Sequence, residues 1–197
     1  MAASAASTRN CLIVYLHGFN SSPQSHKAKV LEAEMGRRGL AHLYACPALP
    51  PLASDALREI AKLSLKPSDC LLGSSLGGFY ATHLAEQVGC RAALINPAVR
   101  PHVGLEAYLG QQKNLHSGAP YQLTRAHLAG WRELWVERID PELYLLLLET
   151  GDEVLDWREA VRRYEGARMV IRQGGDHTLQ SFPEHIDRIL AFAGIAA

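Results

Sequence analysis

Ser75 stands in the sequence Gly73-Ser74-Ser75-Leu76-Gly77-Gly78, between a short apolar run at residues 70–72 and an amphipathic stretch reaching to about residue 88. Gly-x-Ser-x-Gly in that setting is the pattern of a serine held on a sharp strand-to-helix turn. Such a turn strains the backbone and leaves no room for side chains two residues to either side, so glycine is needed at both places. Ser74 has Leu72 and Leu76 at those places, which breaks the steric requirement and leaves Ser75 as the candidate nucleophile. A serine hydroxyl is a weak nucleophile at neutral pH. It needs a base, and the base needs an orienting acid.

With the chain order Ser, then acid, then His, two later segments fit: Thr150-Gly151-Asp152-Glu153-Val154 and Gly174-Gly175-Asp176-His177. Each follows an apolar run, which places it at the carboxyl end of a strand, where parallel sheets build their sites. His177 is the candidate base among nine histidines, being late in the chain, in a Gly-rich loop, and just before the last helical pattern. His17 is read as a structural residue that holds its own loop. Asp152 is the candidate acid, since it emerges first from its strand. Asp156 is the alternative, although it suits the cap of a helix starting near Trp157. Asp176 adjoins His177, so its side chain should point elsewhere, and Glu153 is read as solvated. A tetrahedral intermediate needs two backbone N–H donors. Leu76 supplies one at a helix N-terminus. The loop His17-Gly18-Phe19-Asn20 supplies the other, through Phe19 or alternatively Asn20.

The elements that must hold these residues alternate in type. Apolar runs predict strands over residues 11–16, 41–45, 70–72, 92–96, 143–150 and 168–171. Between them, helical periodicity predicts helices over residues 25–38, 55–63 with Ser54 as cap, and 76–88. A last helix carries Phe182, Ile186, Ile189, Leu190 and Ala193 on one face. This alternation implies an α/β fold: a doubly wound, mostly parallel sheet of about six strands with helices on both faces. The 197 residues fit one domain, 1–197. Within it, residues 98–142 are too long for a plain crossover. They hold Tyr108, Tyr121, Trp131 and Trp135, which predicts a helical insertion serving as lid or pocket wall.

Composition excludes several classes. Twenty Lys and Arg balance twenty Asp and Glu, which argues against nucleic acid as partner. The four cysteines form no C-x-x-C pair and read as reduced thiols in a reducing, cytoplasmic setting, with no spacing suited to zinc. Residues 1–10 lack the basic start and apolar stretch of a secretory signal. The longest apolar run, near residues 144–148, is far too short to span a bilayer. Neither G-x-G-x-x-G after a strand nor a Walker-type phosphate loop occurs.

The chain resembles the small bacterial YqiA-type esterases of the α/β-hydrolase superfamily. The resemblance is carried by Tyr15-Leu16-His17-Gly18-Phe19-Asn20-Ser21-Ser22-Pro23, the Gly73–Gly78 segment, Asn96-Pro97-Ala98-Val99-Arg100-Pro101 and Tyr108-Leu109-Gly110-Gln111. It continues through residues 150–156 and 174–177, covering the chain from about residue 11 to 192. It implies an esterase with Ser75, Asp152 and His177 as its triad, a compact sheet of six or seven strands, and no metal or organic cofactor. The implied partner is a small-molecule carboxylic ester or acyl thioester. The chain departs from the family pattern at Leu179, where an aromatic is common, and this is expected to reshape the pocket. Residues before Arg9 have no counterpart. Two other readings remain: acyl transfer to an alcohol or amine instead of water, and a non-catalytic binding protein on the same scaffold. Oligomeric state is not legible.

Overall fold

The computed structural model describes residues 11–114 and 118–195; the amino-terminal stretch read above for targeting signals lies outside them. Six strands form one parallel sheet in the order β2-β1-β3-β4-β7-β8. They are β1 (Ile13–Leu16), β2 (Tyr44–Ala45), β3 (Cys70–Ser74), β4 (Arg91–Ile95), β7 (Tyr144–Glu149) and β8 (Arg168–Arg172). β5 (Gly110–Lys113) and β6 (Pro120–Leu123) form a separate antiparallel hairpin. The helices are α1 (His26–Arg37), α2 (Ala53–Ala61), α3 (Leu76–Val88), α4 (Pro101–Gly104), α5 (Arg125–Glu133), α6 (Trp157–Arg163) and α7 (Phe182–Ala193).

The strands are apolar throughout because both faces of the sheet are covered. Val14, Leu16, Leu71, Leu94, Leu146 and Leu148 point into one core, with residues of α2, α3, α5 and α6. The alternate residues Ile13, Tyr15, Leu72, Ile95, Leu145 and Leu147 point into the other, with α1 and α7. The period of two along each strand thus separates two cores, each closed by its own helices. This is the doubly wound arrangement expected from the alternation of elements.

Three local expectations are corrected. The strand predicted over residues 41–45 is a 3-10 turn at Ala41–Leu43 followed by the two-residue β2. As an edge strand it pairs only Tyr44 and Ala45 with β1, and the residues before it satisfy their bonds locally, Leu43 N–H donating to Leu40 O. Ser54 does not cap α2; the helix begins at Ala53 after an extended Leu52, which turns Ala53, Ala56 and Ile60 into the core. The insertion at residues 98–142 is helical at both ends but carries the β5–β6 hairpin between them. Its strand Gly-Gln-Gln-Lys alternates half-buried and exposed positions without a large apolar side chain, so hydrophobic periodicity has nothing to register.

Candidate active site

The carboxyl ends of β1, β3, β4, β7 and β8 meet along one edge of the sheet. At the end of β3 the chain reverses into α3 through Ser75, at φ 54 and ψ −120. That conformation is held by its own backbone: Ser75 N–H donates to Ile95 O at 3.0 Å, and Ser75 O accepts from Gly78 N at 2.9 Å and Ala98 N at 3.0 Å. A Cβ at Gly77 would overlap the Leu16 carbonyl, and one at Gly73 the Gly77 carbonyl. The two flanking glycines therefore answer to the steric requirement that singled out Ser75.

The loop after β1 abuts this turn. A Cβ added at Gly18 would stand 3.3 Å from Ser75 Cβ and 3.7 Å from its Oγ. His17 is buried; its Nε2 accepts from Leu49 N at 3.0 Å, so Nδ1 carries the proton and donates to Gly18 O at 3.0 Å. It fixes the loop, the structural part read for it. Asn20, at φ 50, accepts from Tyr121 Oη at 2.9 Å through its Oδ1, and the Phe19 and Tyr108 rings meet edge-on at 5.7 Å. Among the described residues, no acceptor takes the N–H of Phe19 or of Leu76. Beside them lies an open recess of about 280 Å³ whose apolar lining includes Phe19, Leu49, Pro50, Pro51, Leu76 and Tyr80. The two tryptophans of the insertion serve elsewhere. Trp131 is fully buried and donates to Tyr80 Oη at 2.8 Å, while Trp135 lies under the Arg163 guanidinium at 4.3 Å.

The loops after β7 and β8 bring Asp152 to His177. Nδ1 of His177 lies 3.0 Å from Asp152 Oδ1 and 2.8 Å from Oδ2; the aspartate side chain is 1% exposed and the imidazole 20%. Asp152 Oδ1 also accepts from Val154 N and Leu155 N, each at 2.8 Å, which leaves the carboxylate little freedom. With Nδ1 engaged, Nε2 is the free ring nitrogen. Among the described residues no hydrogen bond closes between Ser75 and His177; in unliganded sites such contacts are commonly loose and tighten around substrate.

The alternative acid, Asp156, is the N-cap of α6, accepting from Arg158 N at 3.0 Å. That N–H and the arginines beside it hold its carboxyl below the usual range. Asp176 turns away to Thr178 and Gln180. Glu153 is exposed, as read, and its Oε2 also accepts from His177 N at 3.0 Å. Leu179 is corrected. It is buried in the core with Phe182 and Ile186, away from the recess lining, so its departure from the family pattern falls on packing.

Two residues escaped the sequence reading. Asn96, buried at φ 39, donates through Nδ2 to Asp176 O at 3.1 Å and His177 O at 3.2 Å, and accepts from Glu149 N at 3.1 Å. An asparagine just after a strand is a signal for a left-handed residue. Glu149 closes the leucine run of β7 and is 1% exposed; a charged side chain ending a fully buried strand was the available clue. All four cysteines are free thiols. Among the described residues no cluster of three or more His, Cys, Asp or Glu side chains is arranged for a metal, and no helix is long and apolar enough to cross a membrane.

A mostly parallel sheet with helices on both faces and a serine on the strained turn after a central strand defines the α/β-hydrolase fold. Solved structures share it. The mouse alpha/beta hydrolase domain-containing protein 10 superposes with a TM-score of 0.70 at 17% identity, covering 92% of this chain and 89% of that one. The esterase domain of a Rhodothermus marinus protein does so with a TM-score of 0.66 at 18% identity, covering 96% and 88%. The chain belongs to UPF0227, an uncharacterised protein family, which it matches over residues 12–194. A UPF0227 protein of Pectobacterium atrosepticum is 25% identical over 187 residues, 92% of this chain and 98% of the relative. This membership agrees with the YqiA-type resemblance.

Proposed function

We propose that the protein is a serine hydrolase that cleaves small carboxylic esters or acyl thioesters through an acyl-Ser75 intermediate. Ser75 Oγ attacks the carbonyl carbon while His177 Nε2 accepts its proton. The N–H groups of Phe19 and Leu76 receive the oxyanion. His177 then protonates the leaving alcohol or thiol, and water, deprotonated by the same imidazole, releases the acid. Asp152 fixes the imidazole tautomer and stabilises the imidazolium. The observation that carries the reading is the strained backbone of Ser75, since a fold keeps such strain where a nucleophile must be presented. The Asp152–His177 pair on neighbouring loops and the two unspent N–H donors support it. The insertion at residues 98–142 meets the recess at Asn114, and its Tyr108 and Tyr121 contact Phe19 and Asn20, which supports a part for it in shaping the site.

The test is fluorophosphonate labelling and hydrolysis of p-nitrophenyl esters, wild type against Ser75→Ala. Wild type is expected to label and to turn over at least one of the acetyl, butyryl and octanoyl esters. The variant should not label, with turnover lower by about 10⁴ or more. Wild-type protein that neither labels nor hydrolyses any ester overturns the reading. Labelling with product formed only when an alcohol or amine is supplied assigns acyl transfer instead.

A further inference from the structure

Glu149 has no part in the chemistry above, and a buried carboxylate at the end of a leucine strand is costly unless its oxygens are engaged. Both are. Oε2 accepts from Asp176 N at 2.9 Å, and Oε1 accepts from Ser181 Oγ at 2.6 Å. Ser181 in turn lies 3.3 Å from His185 Nε2, which donates to it once the serine proton is given to Glu149. All of these partners belong to the segment that carries His177 into α7. The loop is also shaped to the carboxylate. Gly175 takes φ +72, and a Cβ there would overlap Glu149 Oε2. On the far side, Asn96 holds the carbonyls of Asp176 and His177, and Lys27 Nζ donates to Thr178 O at 2.6 Å. The backbone at Asp176 is thus gripped at its N–H by Glu149 and at its carbonyl by Asn96. Packing alone would be served by a fifth leucine at the end of β7.

We propose that Glu149 is a positioning residue: its buried carboxylate moulds the Gly175–Asp176–His177 backbone, so that the imidazole meets Asp152 on one side and Ser75 on the other. The inference rests on the reading of His177 as general base, and its consequence is catalytic precision. Misplacement of a reacting group by about 1 Å costs on the order of 10²-fold in rate.

The experiment compares wild type with Glu149→Ala, Glu149→Gln and Gly175→Ala, read by three measurements. These are the downfield proton signal of His177 Nδ1–H in its bond to Asp152, the rate of fluorophosphonate labelling, and kcat and KM on a short ester. In Glu149→Ala the signal is expected to broaden or vanish, with labelling and kcat falling ten- to a hundredfold, about the cost of misplacing a reacting group, and KM nearly constant. Glu149→Gln can turn its amide oxygen to Asp176 N and its NH₂ to Ser181 Oγ, and is expected to keep the signal and stay within about threefold of wild type, since a hydrogen bond is exchanged, not lost. Gly175→Ala drives the carboxylate off from the opposite side and is expected to reproduce the alanine result, which keeps the test alive if Glu149→Ala does not fold. Either loss variant with a lowered Tm but an unchanged signal and kcat overturns the proposal, leaving Glu149 structural. Wild type that shows the signal but never labels refutes the hydrolase reading, while the signal in the variants still decides the place of Glu149.

Discussion

Asp152 and Asp156 lie one helical turn apart in sequence and serve different neighbours. Asp152 is enclosed against His177 Nδ1, whereas Asp156 caps α6. In the proposed mechanism Asp152→Asn removes the tautomer control and is expected to lower kcat by about 10³–10⁴ with KM little changed. Asp156→Asn is expected to leave kcat at wild-type level and lower Tm slightly; steady-state kinetics and a melt on both variants separate the two. The strained turn at Ser75 and the Asp152–His177 pair were legible because each residue sits at a fixed offset from a strand end or glycine pair. Glu149 and Asn96 were not, because their parts depend on which distant loop folds over them. Asn96 meets a loop that starts more than seventy residues later, and no spacing within the sequence encodes that meeting.

The hairpin of β5 and β6 is the element that the sequence concealed, and it touches the β1 loop. Tyr121 on β6 donates to Asn20, next to the Phe19 N–H proposed to bind the oxyanion. Tyr121→Phe removes one hydrogen bond, about 0.5–1.5 kcal/mol. If the hairpin steadies that N–H, kcat should drop by up to about tenfold, since 1.36 kcal/mol is a factor of ten in rate. An unchanged kcat detaches the hairpin from catalysis. Trp131→Phe takes the indole donor from the buried Tyr80 hydroxyl and is expected to cost about 1–3 kcal/mol in denaturant unfolding. The sheet strands and the long helices were readable because their apolar residues face a core at periods of two or near four. The short extent of β2 and the hairpin were not, since an edge strand and a half-exposed hairpin bury too little apolar surface to leave a pattern.

At the scale of the whole molecule, three histidines set a pH dependence of stability. Burial lowers the pKa of His83, of His102, where Arg132 and Arg100 add to it, and of His185, where Arg188 does. Each therefore takes up its proton less readily in the fold than in the unfolded chain, where protonation occurs near pH 6.5. Below that pH the unfolded state binds more protons, so the contribution is complete above about 6.5 and is lost as pH falls. Tm should be nearly level from pH 8 to 7 and decline as pH falls below about 6.5; a flat Tm down to pH 5 contradicts the lowered proton affinity of these rings. A different tension is built in at Ser75. Holding a non-glycine residue at φ 54 and ψ −120 costs on the order of 1–3 kcal/mol, more than the ~0.5–1 kcal/mol of extra chain entropy that glycine brings. Ser75→Gly should therefore melt higher than wild type while losing every trace of labelling. A selection for heat resistance alone would trade this serine for glycine, giving a tougher protein stripped of the proposed nucleophile.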